Sequence, residues 1–134
     1  MTAPPSPWNE KTRLEVLHSY EVLDTPPESS FDDITRLAAL ICGTPIALIS
    51  LVDETRAWFK SRLGIEPQEM PRGLSFCSQA IFHSEVLVVP DTLADERFAL
   101  HPMATGPEQL RFYAGAPLVT PEGFSLGTVC VIDR

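Results

Sequence analysis

The chain is poor in the residues that most often announce chemistry. Its three cysteines, Cys42, Cys77 and Cys130, are an odd number with no C-x-x-C spacing. That points to reduced thiols rather than a disulfide framework or a zinc site. The three histidines, His18, His83 and His101, are far apart and lack partners at metal-ligand spacing. None of the seven glycines builds a phosphate-cradling loop after a strand, and no Ser/His/Asp set has a recognisable context. Basic residues are outnumbered ten to eighteen, and the net charge of −8 disfavours both a nucleic-acid backbone and an anionic membrane surface. No apolar run approaches the roughly 20 residues of a membrane span. The start, Met1-Thr2-Ala3-Pro4-Pro5-Ser6-Pro7, has neither the basic cluster nor the apolar stretch of a secretory signal. The expectation is a cytoplasmic protein.

What is present suits one globular domain. A chain of 134 residues that is 44% hydrophobic and 21% charged is long enough to bury a core. Residues 1–9 are Pro-rich and read as a loose lead-in, leaving 10–134 as the domain. From Glu10, the positions Leu14, Val16, Leu17, Tyr20 and Leu23 recur at helical spacing, until Asp24-Thr25-Pro26-Pro27 stops the pattern. Ser30-Phe31-Asp32-Asp33 resembles a capping box for a second helix, with an apolar stripe of Phe31, Ile34, Leu37, Ala38 and Ile41 and a left-handed end at Gly43.

Residues 45–52 are apolar on both faces and read as a central strand, and residues 57–63 return toward an edge. Residues 64–73 read as a loop. Ser75 caps a short helix over 76–82, and Val86-Leu87-Val88-Val89 is a short strand. Residues 92–109 are mostly loop with one helical turn. Two strands, 111–119 and 126–132, close the chain as a hairpin around Thr120-Pro121-Glu122-Gly123-Phe124. The predicted class is α+β: a mainly antiparallel five- to six-stranded sheet with helices on both faces.

Several strings, in this order, resemble a GAF domain, a small-molecule-sensing module related in fold to PAS domains. They are Asp24-Thr25-Pro26-Pro27-Glu28, Ile49-Ser50-Leu51-Val52-Asp53 with Trp58-Phe59, Ser75-Phe76-Cys77, and Val88-Val89-Pro90-Asp91 with Arg97-Phe98. Arg111-Phe112-Tyr113-Ala114-Gly115-Ala116-Pro117-Leu118 and Gly127-Thr128-Val129-Cys130-Val131-Ile132-Asp133 complete the set. The resemblance runs from about residue 10 to the C-terminus. It is to GAF domains at the N-terminus of bacterial sensor histidine kinases and diguanylate cyclases. It implies the strand order 2-1-5-4-3 and a pocket between one sheet face and the loops around 64–83 and 91–109. It also implies a closing helix after the last strand, where this chain stops at Arg134.

The candidate pocket residues are Phe59, Phe76, Cys77, Asp91, Phe98, Arg111, Tyr113 and Gly115, with Trp58, Arg97 and Phe112 nearby. Aromatics beside arginine suit a planar or anionic ligand. The competing reading makes the same aromatics core. Alternation puts Phe112 and Tyr113 on opposite faces; Tyr113 shares its face with Arg111 and Gly115, and Gly115 leaves room for a ligand or a close backbone. Cys77, near a helix start, is either a thiol activated by the helix dipole or a small packing group.

The expected function is a non-enzymatic sensor that takes a small molecule, or dimerises, to control a downstream output domain. The identity of any cofactor is open. One alternative is a structural dimerisation module with a collapsed pocket. Another is the family's cysteine-dependent free methionine sulfoxide reductase, whose cysteine set does not map onto these three. A covalent bilin is disfavoured, because no Cys is followed by His.

Overall fold

The computed structural model describes residues 8–134, so most of the expected lead-in lies outside the described residues. Its last two positions are tied down. The Trp8 ring stacks on Phe82 with centroids 5.7 Å apart. Asn9 caps the first helix by accepting the Thr12 N–H at 3.2 Å.

Helix α1, Glu10–Ser19, ends earlier than the periodicity implied, because Glu21 turns the chain at a φ of 53°. The following Thr25-Pro26 segment is held by the buried Lys60 ammonium. It donates to Thr25 Oγ1 and the Pro26 carbonyl, both at 2.8 Å, and pairs with Glu28 at 2.5 Å.

Helix α2, Ser29–Cys42, stops at Gly43 with a φ of 64°, as expected of a left-handed end. The expected capping box does not form: Glu28 takes the cap position, and no side chain accepts a bond there. The expected inward stripe is also corrected. Thr35 and Ala39 face the sheet, while Leu37, Leu40 and Ile41 are 55%, 79% and 74% exposed. The reason is local chemistry. Thr35 Oγ1 lies 2.8 Å from Ser61 Oγ, which in turn donates to Asp32 at 2.6 Å. Small Ala39 lets the helix sit close on Ala47 and Val131.

The sheet is six-stranded, in the order β3-β2-β1-β6-β5-β4, with every neighbouring pair antiparallel. Its strands are β1 Ile46–Val52, β2 Arg56–Leu63, β3 Glu69–Pro71, β4 Leu87–Val89, β5 Phe112–Val119 and β6 Ser125–Asp133. Five of these keep the expected order. The sixth, β3, pairs outside β2 within the segment read as loop, so β2 is not an edge. The central strand β1 is buried at every position, because both faces are covered. Ile46, Leu48 and Val52 join the core beneath α3, Cys77–Ala80. Ala47 and Leu51 pack on the α1–α2 side. The closing turn is as read, with Gly123 at a φ of 96°.

The end of the sheet where β1 leaves and β6 enters is held by a fully buried arginine. Arg13 of α1 donates to the Val52 carbonyl at 2.8 Å and the Ser125 carbonyl at 3.3 Å, and both its Nε and Nη2 reach Glu10. Arg13→Met is expected to lower unfolding free energy by about 3 kcal/mol, since it strands buried carbonyls and a carboxylate. Urea denaturation followed by tryptophan fluorescence measures it.

Candidate functional site

Five of the sequence-derived pocket residues, Phe59, Phe76, Cys77, Phe98 and Tyr113, do come together, but against one another. All five are at most 4% exposed. Phe76 meets Phe98 edge-on at 5.0 Å and Tyr113 edge-on at 5.7 Å, contacts that each add about 0.5–1.5 kcal/mol beyond burial. The space left beside Phe59, Phe76 and Cys77 is a cavity of about 20 Å³, room for one water-sized group. Gly115 is needed for close approach, but by its own neighbour: a Cβ there would lie 2.2 Å from the Tyr113 hydroxyl. The room that the glycine leaves is filled by that phenol.

The remaining candidates lie apart from this cluster. Asp91 is exposed and accepts the Leu93 N–H at 3.0 Å, capping a single 3-10 turn. Arg111 is half-buried and donates to the Ala104 carbonyl. Phe112 packs on the opposite sheet face from Tyr113, as alternation requires. Trp58 also lies on the far face, with Leu17 and Leu51.

The larger concavity is a groove of about 690 Å³ on the outer side of α3, where Arg72, Ser78, Gln79, Arg97 and His101 converge. Four short elements position them: the 3-10 turn Arg72–Leu74, α3, the loop carrying Arg97, and the start of α4, Pro102–Thr105. Ser75 accepts the Cys77 N–H at 3.1 Å, but Phe76 takes the cap position and the helix spans four residues rather than the expected 76–82.

Two of the residues that line this groove each carry a buried side-chain atom with no partner among the described residues, Gln79 Oε1 and His101 Nε2. The roles of the two atoms differ. The Met103 N–H donates to His101 Nδ1 at 3.1 Å, and burial lowers the imidazole pKa, so the neutral ring carries its proton on Nε2. A donor and an acceptor thus stand unpaired beneath the lining of one groove, on residues that are each 6% exposed or less. Leaving such groups unpaired costs roughly 1–3 kcal/mol each, which a bound group would recover.

The guanidinium groups at the rim are already oriented. Arg97 forks onto Asp95, donating from Nε at 3.0 Å and Nη2 at 2.7 Å. Arg72 donates to Glu10 at 2.7 Å and to the Asp53 carbonyl at 3.1 Å. Glu10 therefore joins the groove to the buried Arg13 of α1.

The sequence reading did not single out Arg72 or Gln79, and it weighed His101 only as a metal ligand. The one available signal was the polar pair Ser78-Gln79 inside an otherwise apolar short helix. Among the described residues, no group of three or more His, Cys, Asp or Glu is placed to hold a metal ion. No helix there is long and apolar enough to cross a membrane.

Known proteins share this fold. A family model described as "GAF domain" matches residues 26–134. The chain belongs to the GAF domain family. It is 41% identical, over all 134 residues, to a cyclic di-GMP phosphodiesterase from Pseudomonas aeruginosa, and it spans 23% of that relative's length. The GAF domain of an Acinetobacter phosphoenolpyruvate-protein phosphotransferase superposes with a TM-score of 0.61 at 16% identity, covering 92% of this chain and 77% of that one. Free methionine-R-sulfoxide reductase from Neisseria meningitidis, in complex with its substrate, gives 0.61 at 17% identity over 98% of this chain and 80% of its own. At those identities the two structures share the fold alone.

The Glu10 link has a pH signature. Burial opposes its charge, but hydrogen bonds and attraction from Arg13 and Arg72 win and hold its carboxyl at about 2, down from 4.5. A depressed carboxyl stabilises the fold above the unfolded pKa, and this contribution fades as pH falls from about 4.5 toward 2. Because the side chain is 40% exposed, the contribution is discounted to on the order of 1–2 kcal/mol. Urea midpoints measured at steps from pH 5 to pH 2 should fall more steeply for the wild type than for Glu10→Gln.

Proposed function

We propose that the chain is a non-enzymatic sensory GAF module, acting in the cytoplasm within a longer signalling protein whose output domain turns over cyclic di-GMP. The phosphodiesterase activity named for the Pseudomonas relative supports the choice of output, which differs from the expected kinase or cyclase. The observation that carries the sensory reading is the open groove of about 690 Å³, on which Arg72, Ser78, Gln79, Arg97 and His101 converge. The ligand it fits is a small polar molecule, taken up among hydroxyl, amide and imidazole side chains. An anionic group on it would face Arg72 and Arg97.

Occupancy can bias an output only by favouring one state of the domain over another. The route here is Arg72: a ligand that engages its guanidinium competes with Glu10, which braces Arg13 and hence α1. The filled aromatic core counts against the deeper pocket between sheet and loops.

A second reading, homodimerisation, is favoured by the apolar outer face of α2, where Ile34, Leu37, Leu40 and Ile41 are each 46–79% exposed. A face of that kind is usually covered.

A thermal-shift screen with amino acids, nucleobases, cyclic nucleotides and small organic acids tests the sensory reading. A ligand at about 100 times its Kd should add about 2.7 kcal/mol, a rise of several degrees. Gln79→Leu and His101→Leu should each abolish the shift; a shift indifferent to both, or no shift across the panel, sinks the groove. For the second reading, sedimentation equilibrium should show a dimer that Leu40→Glu converts to monomer.

A further inference from the structure

Neither the groove nor the sensory reading uses the two buried thiols. Cys77, at the start of α3, and Cys130, in the middle of β6, place their sulfurs 3.6 Å apart, and both residues are at most 2% exposed. The surroundings are not those of a thiol packed as a small hydrophobe. The Thr128 hydroxyl donates to Cys77 Sγ at 3.1 Å and the Tyr113 hydroxyl donates to it at 3.5 Å. Two hydroxyl protons converging on one sulfur compensate a thiolate for lost water. The small cavity of about 20 Å³ also opens on Cys77, with the thioethers of Met70 and Met103 on its wall, and is large enough for one oxygen-sized group.

We propose that Cys77 and Cys130 form a peroxide-oxidised dithiol that closes to an intramolecular disulfide within this module. The hydroperoxide, ROOH, is the oxidant. The Cys77 thiolate attacks its terminal oxygen, the O–O bond breaks, and the departing RO⁻ takes up the proton that Cys77 released, leaving as ROH. Cys77 is then a sulfenic acid. The Cys130 sulfur attacks the Cys77 sulfur, the S–O bond breaks, and hydroxide leaves with the Cys130 proton as water. Two thiols and one ROOH give one disulfide, one ROH and one water. The two sulfurs together lose two electrons and the peroxide gains them. A small-molecule dithiol reverses the step by exchange.

The two roles follow from the surroundings. The contact with Cys130 and the hydroxyls of Thr128 and Tyr113, both of which donate to its sulfur, hold the Cys77 thiol below the usual thiol range against the opposing effect of burial. The same contact, with burial, pushes Cys130 well up. Cys77 is therefore the attacking sulfur and Cys130 the resolving one. Closing the bond shortens the sulfur separation from 3.6 Å by roughly 1.5 Å. The yielding side is α3, a four-residue helix whose next residues, Ser78 and Gln79, line the groove.

The test is hydrogen peroxide on the native chain, followed by acid quench, alkylation in denaturant and peptide mass spectrometry. The expected product is a linked Cys77–Cys130 peptide pair two hydrogens lighter than the dithiol, reversible with dithiothreitol, with the exposed Cys42 outside the link. Cys130→Ser should instead leave a sulfenic acid on Cys77 that dimedone traps. Thr128→Val and Tyr113→Phe should each slow the first step, by up to about tenfold at neutral pH, as the thiolate fraction falls. Two results overturn the proposal: Cys77 and Cys130 stay reduced in peroxide that oxidises Cys42, or they oxidise only in denaturant that opens the core. The wild-type mass result stands even where a variant fails to fold.

Discussion

The structure depends on a charge taken out of water. The Arg13 guanidinium is fully buried at the point where the two central strands begin and end, an arrangement that costs several kcal/mol unless each nitrogen finds acceptors. It finds them in the carbonyls of Val52 and Ser125, which lie where β1 stops and β6 starts, and in the carboxylate of Glu10. The helix that supplies it is otherwise weakly held, with Leu17 as its one other buried residue. Arg13 is thus what fixes α1 on the sheet. Glu10 then shares its charge with Arg72, so the same carboxylate serves the buried arginine and the rim of the groove.

How much of this could be read from sequence depended on which property a position required. Strands β1 and β6 were legible because a doubly covered strand must be apolar on both faces, and residues 46–52 and 126–132 are. The end of α2 was legible because Gly43 is the residue that tolerates a φ of 64°. The inner face of α2 was not. Periodicity assumes that the apolar stripe faces the core, whereas here the sheet takes Thr35 through a hydroxyl contact with Ser61 and takes Ala39 for its small size. Arg13 was equally hidden, since one arginine in an amphipathic helix looks like a solvated one until the carbonyls around it are known.

The candidate site was legible as a neighbourhood and not as a space. Phe59, Phe76, Phe98 and Tyr113 do meet on one side of the sheet, yet whether rings surround a void or fill it is set by their rotamers. Gly115 shows the ambiguity at one residue: a glycine beside a strand aromatic reads as room, and the Tyr113 phenol occupies it. The unused atoms of Gln79 and His101 belong to residues 22 positions apart, and only tertiary burial turns two ordinary polar residues into a matched donor and acceptor.

Helix α3 is where these features meet. Its inward residues, Cys77 and Ala80, belong to the aromatic core, while Ser78 and Gln79 face the groove. A helix of four residues has almost no stability of its own, because a single turn hardly repays the cost of nucleation. Its position is therefore set by what it touches on either side. Cys77, which contacts Cys130 in the core, and Gln79, which lines the groove, are thus carried by the same four residues. The core around the helix is close-packed, with one cavity of about 20 Å³ to absorb displacement. The short helix thus has no rigidity of its own with which to insulate the groove lining from the core contact.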